Sequence, residues 1–252
     1  MQNLKPYSMQ ELEECGFLSK MFGSKPAENG WKELNNLLAA APDALAVSAD
    51  DVHHALKKWG VKFNDDNFNQ RSGIYRKLAD VVFTEVQTKE DGLWAQLAHL
   101  AEILELPPHL AKQADKAAKT AAYFVRCRDL LAGTEKLDIK QLNDLFGYDY
   151  EDSLSMRKQV FQVHFNQKFD EISSAQRYTP EEEAALRADC ATLDIPYELK
   201  NNIVSALEKY RSLWNAEHMP LGDIKQDAFP LNPGEICHAY TNCGLCQNKM
   251  VE

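Results

Sequence analysis

The stretch LELPPHL at residues 104–110 returns 89 residues later, with similar side chains, as LDIPYEL at residues 193–199. The match continues upstream through an alanine and a leucine in each copy, Ala95 with Ala184 and Leu97 with Leu186. Downstream of each copy, a long lysine-containing pattern with helical spacing ends in aromatic residues. A helix, a proline-marked corner and a second helix therefore occur twice, which predicts a helical scaffold built by duplication.

Helical patterns also fill most of the chain outside the repeat. Ser8 and Glu11 form a capping box that predicts a short helix ending near Gly23. Thr179, Pro180 and the acids that follow give the strongest helix start, because they combine an N-cap, a first-turn proline and favourable dipole charges. The predicted fold class is all-α, with roughly eight or nine helices arranged as hairpins and a short irregular or β-like tail.

Three regions are predicted from these changes in pattern. Residues 1–88 form an N-terminal helical region, and residues 89–221 hold the duplicated helical unit. Residues 222–252 form an irregular, cysteine-containing tail, in which residues 236–240 are the best candidate for a short strand.

Composition excludes several classes of function. The formal net charge of −10, without any long run of Lys or Arg, argues against binding to nucleic acid. No apolar run approaches the roughly 18 residues needed to span a bilayer, and the N-terminus does not resemble a signal peptide. We therefore expect a cytoplasmic protein that binds neither nucleic acid nor membrane.

The tail holds the only cluster of metal-ligating residue types, namely Cys237, His238, Cys243 and Cys246. The Cys-x2-Cys pair suits tetrahedral zinc, but neighbouring Cys237 and His238 point to opposite sides of an extended backbone. A second knuckle at zinc-finger spacing is missing. The favoured interpretation is a tail with free thiols, with a zinc site as the alternative.

Other candidate motifs favour structural roles. Residues 64–69 resemble a calcium loop, but the glycine and the final glutamate are replaced by Gln70 and Arg76, which favours a helix-capping loop. Adjacent His53 and His54 diverge on a helix and are expected at the surface, whereas His164 is expected to be a satisfied core histidine. Glu181–Glu183 are interpreted as helix-start charges. The sequence contains none of the common catalytic or nucleotide-binding motifs, so no catalytic, cofactor-binding or metal residue is assigned.

Residues 178–240 resemble a known family. The pattern Tyr-Thr-Pro-Glu-Glu-Glu at residues 178–183, followed by Leu-Asp-Ile-Pro at residues 193–196, is similar to the helical unit of tellurite-resistance TerB-like domains. The later motifs, YRSLW at residues 210–214, MPL at residues 219–221 and LNPGEIC at residues 231–237, resemble proteins in which such helices precede a pleckstrin-homology-like domain. The resemblance implies a metal-responsive stress context, but no acidic ligand cluster maps onto matching positions.

These observations favour a non-enzymatic scaffold or adaptor that binds a protein partner in a groove between helix pairs. The resemblance adds a bacterial stress or defence setting. The alternative is a metal-responsive stress protein, with zinc or another divalent metal held by the tail cysteines or an acidic helix face. A third hypothesis is an enzyme whose site is assembled from scattered side chains, and no cofactor is predicted.

Overall fold

A computed structural model of the chain describes residues 6–14 and 26–218. This part of the chain contains nine α-helices and no β-strand, which confirms the predicted all-α fold. The helices are α1 (Ala27–Ala40), α2 (Ala49–Lys58), α3 (Phe68–Glu85), α4 (Gly92–Ile103), α5 (Pro108–Leu131), α6 (Ile139–Phe146), α7 (Tyr150–Ala175), α8 (Pro180–Thr192) and α9 (Asn201–His218). The predicted tail of residues 222–252 lies outside the described residues.

The chain divides into two compact units, Met1–Ser153 and Leu154–Glu252. The division falls inside the predicted duplicated region of residues 89–221, between its two copies. Each unit therefore carries one copy of the helix-corner-helix pattern, preceded by a further helix. In the first unit these helices are α3, α4 and α5, and in the second they are the main part of α7 followed by α8 and α9.

The helix predicted to start at Ser8 is wrong over the residues that the structure describes, because residues 6–14 are not helical. Side-chain amides of α1 bond this backbone instead. Asn36 bonds both the N–H and the carbonyl of Gln10, and Asn29 does the same for Glu13. These tertiary hydrogen bonds replace the helical ones that the capping box predicts.

The two corners have the same backbone structure. Helices α4 and α8 each end in a left-handed residue, Glu105 with φ 46° and Asp194 with φ 50°. One residue later, the Leu106 N–H donates to the Ala101 carbonyl and the Ile195 N–H donates to the Cys190 carbonyl, both at 3.0 Å. This 6→1 bond is that of a Schellman C-cap, and the prolines that follow cannot continue the helix.

A buried arginine completes each corner. In the first unit, Nη1 of Arg71 donates to the carbonyls of Leu104 (3.2 Å) and Glu105 (2.8 Å). In the second unit, Nη1 of Arg157 donates to the corresponding carbonyls of Leu193 (2.7 Å) and Asp194 (2.6 Å). Both arginines come from the helix that precedes the helix-corner-helix pattern, so α3 and α7 have equivalent places in the two units.

The cores of the two units differ at one pair of these equivalent positions. Leu78 in α3 and His164 in α7 each lie seven residues after the corner arginine. Leu100 in α4 and Asp189 in α8 each lie four residues before the first leucine of the corner. Both leucines are buried. In the second unit, His164 Nε2 lies 2.9 Å from Asp189 Oδ2, with about a quarter of each side chain exposed. A polar pair therefore replaces two core leucines.

Among the residues that the structure describes, no helix is both long enough and apolar enough to cross a membrane.

Candidate functional site: a tyrosine and arginine cleft in the second unit

A cleft of about 670 Å³ opens in the second unit beside α8, α9 and the corner that joins them. Its lining combines two tyrosines, two arginines and two glutamates with three aliphatic residues and one serine. These residues are Tyr178, Glu183, Arg187, Tyr197, Leu199, Val204, Leu207, Glu208, Arg211 and Ser212. Volumes of this size are typical of ligand-binding pockets.

Glu183 holds the two arginines of the cleft in place. Its Oε1 accepts hydrogen bonds from Nε (3.0 Å) and Nη2 (2.8 Å) of Arg187, one turn further along α8. Its Oε2 accepts a hydrogen bond from Nη2 of Arg211 on α9 (3.1 Å), and the same Nη2 also donates to the Thr179 carbonyl at 2.7 Å. One carboxylate thus links α8 to α9 and orients both guanidinium groups.

Each guanidinium group covers a tyrosine ring. The Arg211 guanidinium carbon lies 4.6 Å from the ring centre of Tyr178, and that of Arg187 lies 4.4 Å from the ring centre of Tyr197. The two tyrosine hydroxyl oxygens are 3.5 Å apart. Burial, reinforced by the Tyr197 hydroxyl and by the charge of Glu183, raises the pKa of Tyr178 far above its ordinary value.

Two features of the cleft are relevant to ligand binding. Leu199 and Val204 are only half-buried, so their apolar surface is partly in contact with solvent. The Nε atom of Arg211 is buried and makes no hydrogen bond. A buried donor without an acceptor is costly, and an acceptor supplied by a ligand would remove that cost.

Local sequence positions the polar residues of the cleft. Thr179 caps α8 by accepting from the Glu182 N–H (3.1 Å), while the Glu182 carboxylate accepts from the Thr179 N–H (2.7 Å). With Pro180 in the first turn, this cap sets where α8 begins. Glu183 and Arg187 are four residues apart and therefore share one face of that helix.

The first unit has an arginine with a similar role that is not open to solvent. Arg126 on α5 donates through Nη1 to the Val86 carbonyl after α3 (2.6 Å) and forms a paired contact with Glu135 (2.7 and 2.9 Å). The Arg126 and Glu135 side chains are only 2% and 7% exposed, whereas those of Arg211 and Glu183 are 23% and 34% exposed. The arginine and glutamate pair is thus part of the core in the first unit and part of a cleft in the second.

The histidines and the Asp/Asn-rich loop considered in the sequence are not part of the cleft lining. His53 and His54 are exposed, as predicted, and His53 contacts Glu105. His164 is satisfied by Asp189, as predicted, although it remains a quarter exposed. The Asn67 side chain accepts from the Asn64 N–H in the 3₁₀ turn Asp65–Asn67 ahead of α3, whereas Asn67 makes no side-chain cap bond to α3 itself.

The part of the chain that the structure describes contains many side chains of types that can bind metals. There, no three or more His, Cys, Asp or Glu side chains come together in a way that could hold a metal ion. Cys127 and Cys190 are buried, as expected for cysteines in helical patterns. The tail residues Cys237, His238, Cys243 and Cys246 lie outside the described residues.

Sequence reasoning missed most of the cleft. Glu183 was interpreted only as a helix-start charge, although its spacing from Arg187 is a visible signal of a pair on α8. Arg211 and the two tyrosines carry no comparable signal, because their positions depend on how α9 packs against α8. None of the four tryptophans of the chain is part of the cleft lining described above.

Comparison with known proteins adds no family: no protein-family model, curated protein sequence or solved structure matches the chain. The resemblance of residues 178–240 to TerB-like domains therefore stays a prediction.

Proposed function

We propose that the chain is a non-enzymatic helical adaptor whose second unit binds a segment of a protein partner in the tyrosine and arginine cleft. The observation that carries the proposal is the cleft itself, in which aromatic rings, oriented guanidinium groups and partly exposed aliphatic side chains share one concave surface. Tyrosine and arginine are the residue types most enriched at the energetic centres of protein interfaces.

The chemistry of the cleft describes the segment that would fit. An aliphatic or aromatic side chain of the partner would cover Leu199 and Val204. A carbonyl oxygen of the partner would accept the hydrogen bond that Arg211 Nε does not make within the chain. Two arginines and two glutamates line the cleft, so their formal charges cancel and neither an acidic nor a basic segment is favoured by charge alone.

The arrangement also supports rigid recognition. Both guanidinium groups are already held by Glu183 and stacked on tyrosine rings, so little side-chain freedom is lost when a partner binds. Such preorganisation reduces the entropic cost of association. The cytoplasmic location and the bacterial stress or defence setting that we propose for this adaptor rest on the sequence arguments given above.

The proposal is tested by affinity capture of the tagged full-length chain from its native lysate, followed by mass spectrometry after a salt wash. Val204→Asp places a negative charge on the apolar part of a cleft that two glutamates also line. Leu213→Asp is the matched control, because Leu213 is 42% exposed on the same helix and is not among the residues that line the cleft. Circular dichroism confirms that both variants are folded.

We expect a stoichiometric partner that is retained by the wild-type chain and by Leu213→Asp but lost by Val204→Asp. A partner that is retained equally by both variants would show that the cleft is not the binding site. Failure of the folded wild-type chain to retain any partner would contradict the adaptor function.

A further inference from the structure

The extended segment of residues 6–14 lies against the first unit in the manner of a bound peptide. Three asparagines of α1 recognise its backbone. Asn36 accepts from the Gln10 N–H (2.6 Å) and donates to the Gln10 carbonyl (2.8 Å), and Asn29 makes the same pair of bonds with Glu13 (2.7 and 2.8 Å). Asn35 donates to the Ser8 carbonyl at 2.6 Å.

Two of the three asparagines are buried with the segment in place. Asn29 and Asn35 are 0% and 2% exposed. Nζ of Lys77 on α3 donates to Asn35 Oδ1 (3.0 Å), which leaves the amide nitrogen of Asn35 directed at the segment. A side-chain amide that bonds both the N–H and the carbonyl of one residue recognises the main chain of an extended segment and not the identity of its side chain.

Side-chain recognition of the segment is limited to its two ends. Tyr7 is 7% exposed, and its hydroxyl donates to the Ile74 carbonyl at 2.9 Å. At the other end, Nζ of Lys32 on α1 donates to the Glu13 carboxylate at 2.9 Å. Between them, Met9 is 70% exposed and Leu12 is 38% exposed, so the middle of the segment buries little apolar surface.

We propose that the groove along α1 is a binding site for an extended peptide with a tyrosine followed six residues later by an acid, and that the chain's own residues 6–14 occupy it as an internal competitor. A partner peptide with this pattern would bind the same three asparagines and Lys32, and its tyrosine would occupy the place that Tyr7 fills in the chain. Because the segment belongs to the same chain, it competes intramolecularly: it prevents binding of weak partners, and a tight partner displaces it. The groove lies in the first unit and is independent of the cleft proposed above.

The test uses the full-length chain and a fluorescein-labelled peptide with the sequence of residues 6–14, PYSMQELEE. Gln10→Pro with Glu13→Pro in the protein removes the two N–H groups that Asn36 and Asn29 bind. The matched control is Glu11→Pro, which introduces one proline between these two positions. Fluorescence anisotropy then measures peptide affinity for the wild-type chain and for both variants.

We expect the double-proline protein to bind the peptide at least about tenfold more tightly than the wild-type chain or the Glu11→Pro variant does, because its internal competitor is weakened. A peptide that itself carries proline at the Gln10 and Glu13 positions should bind about thirtyfold more weakly, since it lacks two hydrogen bonds. Asn36→Ala in the double-proline protein should also reduce peptide binding.

A folded double-proline protein that does not bind the peptide would overturn the proposal. If the wild-type chain is a dimer and the two prolines dissociate it, residues 6–14 of a second copy occupy the groove. That result would also overturn the proposal that the groove binds a peptide of a different partner. Amide hydrogen exchange on the wild-type chain provides a test that does not depend on the variant. The Gln10 and Glu13 amides should exchange faster than that of buried Val82, and equal rates would show that the segment never leaves the groove.

Discussion

The three-helix parts of the two units use the same corner, but their second arginine, Arg126 or Arg211 in the helix after the corner, lies in opposite environments. Arg71 and Arg157 bind equivalent pairs of carbonyls, and both are buried. Arg126 is enclosed with Glu135 in the core of the first unit, whereas Arg211 shares Glu183 with Arg187 at the surface of a cleft. The corner is therefore a structural feature of both units, and the second arginine distinguishes a closed unit from an open one.

The core of the units differs in the same direction. Leu78 and Leu100 contribute apolar burial to the first unit, and His164 and Asp189 form a partly exposed polar pair at the equivalent positions of the second. Loss of apolar burial lowers stability. The second unit therefore gains less stability from these two positions than the first unit does. This difference is what one expects if the first unit serves stability and the second serves recognition.

The largest expected effect tests the second arginine directly. Arg126→Met should lower the free energy of unfolding by about 3–5 kcal/mol, because it leaves Glu135 buried without its partner. Arg211→Met should cost only about 1 kcal/mol, since solvent reaches both members of that pair. Urea unfolding measures both, with exposed Arg128→Met and Lys209→Met as controls. Equal losses for Arg126→Met and Arg211→Met would remove the distinction between a closed and an open unit.

The corner arginines should instead behave alike. Arg71→Met and Arg157→Met should each cost about 2–3 kcal/mol, because each substitution takes a hydrogen-bond donor away from two carbonyls at a helix end. Their exposed neighbours provide matched controls, Arg76→Met on α3 and Lys158→Met on α7. Costs that differ by more than about 2 kcal/mol would show that the corners share geometry but not energetic importance.

The acid response of the first unit should depend on Glu135. Burial opposes ionisation of this carboxyl, but hydrogen bonds from Arg126 and from the N–H groups of Leu137 and Lys136 lower its pKa below the ordinary value. A pKa that is lower in the folded state than in the unfolded state gives stability that is present above the unfolded pKa, near 4.3 for glutamate. That stability is lost as pH falls through the folded pKa.

Glu135→Gln removes this titration. The variant should therefore show a smaller loss of unfolding free energy between about pH 5 and pH 3 than the wild-type chain. Thermal melts at matched ionic strength across this range measure the slope. A wild-type slope in the variant would show that Glu135 does not contribute to acid unfolding.

The smallest effect is expected for a double substitution that makes the core of the second unit resemble that of the first. His164→Leu with Asp189→Leu should raise the free energy of unfolding by about 1 kcal/mol, because apolar burial replaces a partly solvated polar pair. Asp189→Leu alone leaves His164 without its partner and should stabilise less. Differential scanning calorimetry resolves the change, and a double variant that is less stable than the wild-type chain would assign the pair a stabilising role.

The sequence predicted the fold well because the relevant signals are local. Helical periodicity, the Thr179 cap and the prolines after each corner act over a few residues, and the structure confirms the all-α fold with matching corners. The capping box at Ser8 was an equally local signal that led to a wrong prediction. There, the asparagines of α1 compete for the same backbone groups, and tertiary hydrogen bonding overrides the local preference.

By itself, then, the sequence determined the helices, the duplication and the two proline-marked corners, since each depends on residues that are near neighbours in the chain. Only the tertiary structure decided which arginine is buried and which is open, and it brought Tyr178, Glu183 and Arg211 together in one cleft. It also placed residues 6–14 on three asparagines that lie 16 to 27 positions away. Such contacts depend on the packing of whole helices, which no short pattern of residues encodes.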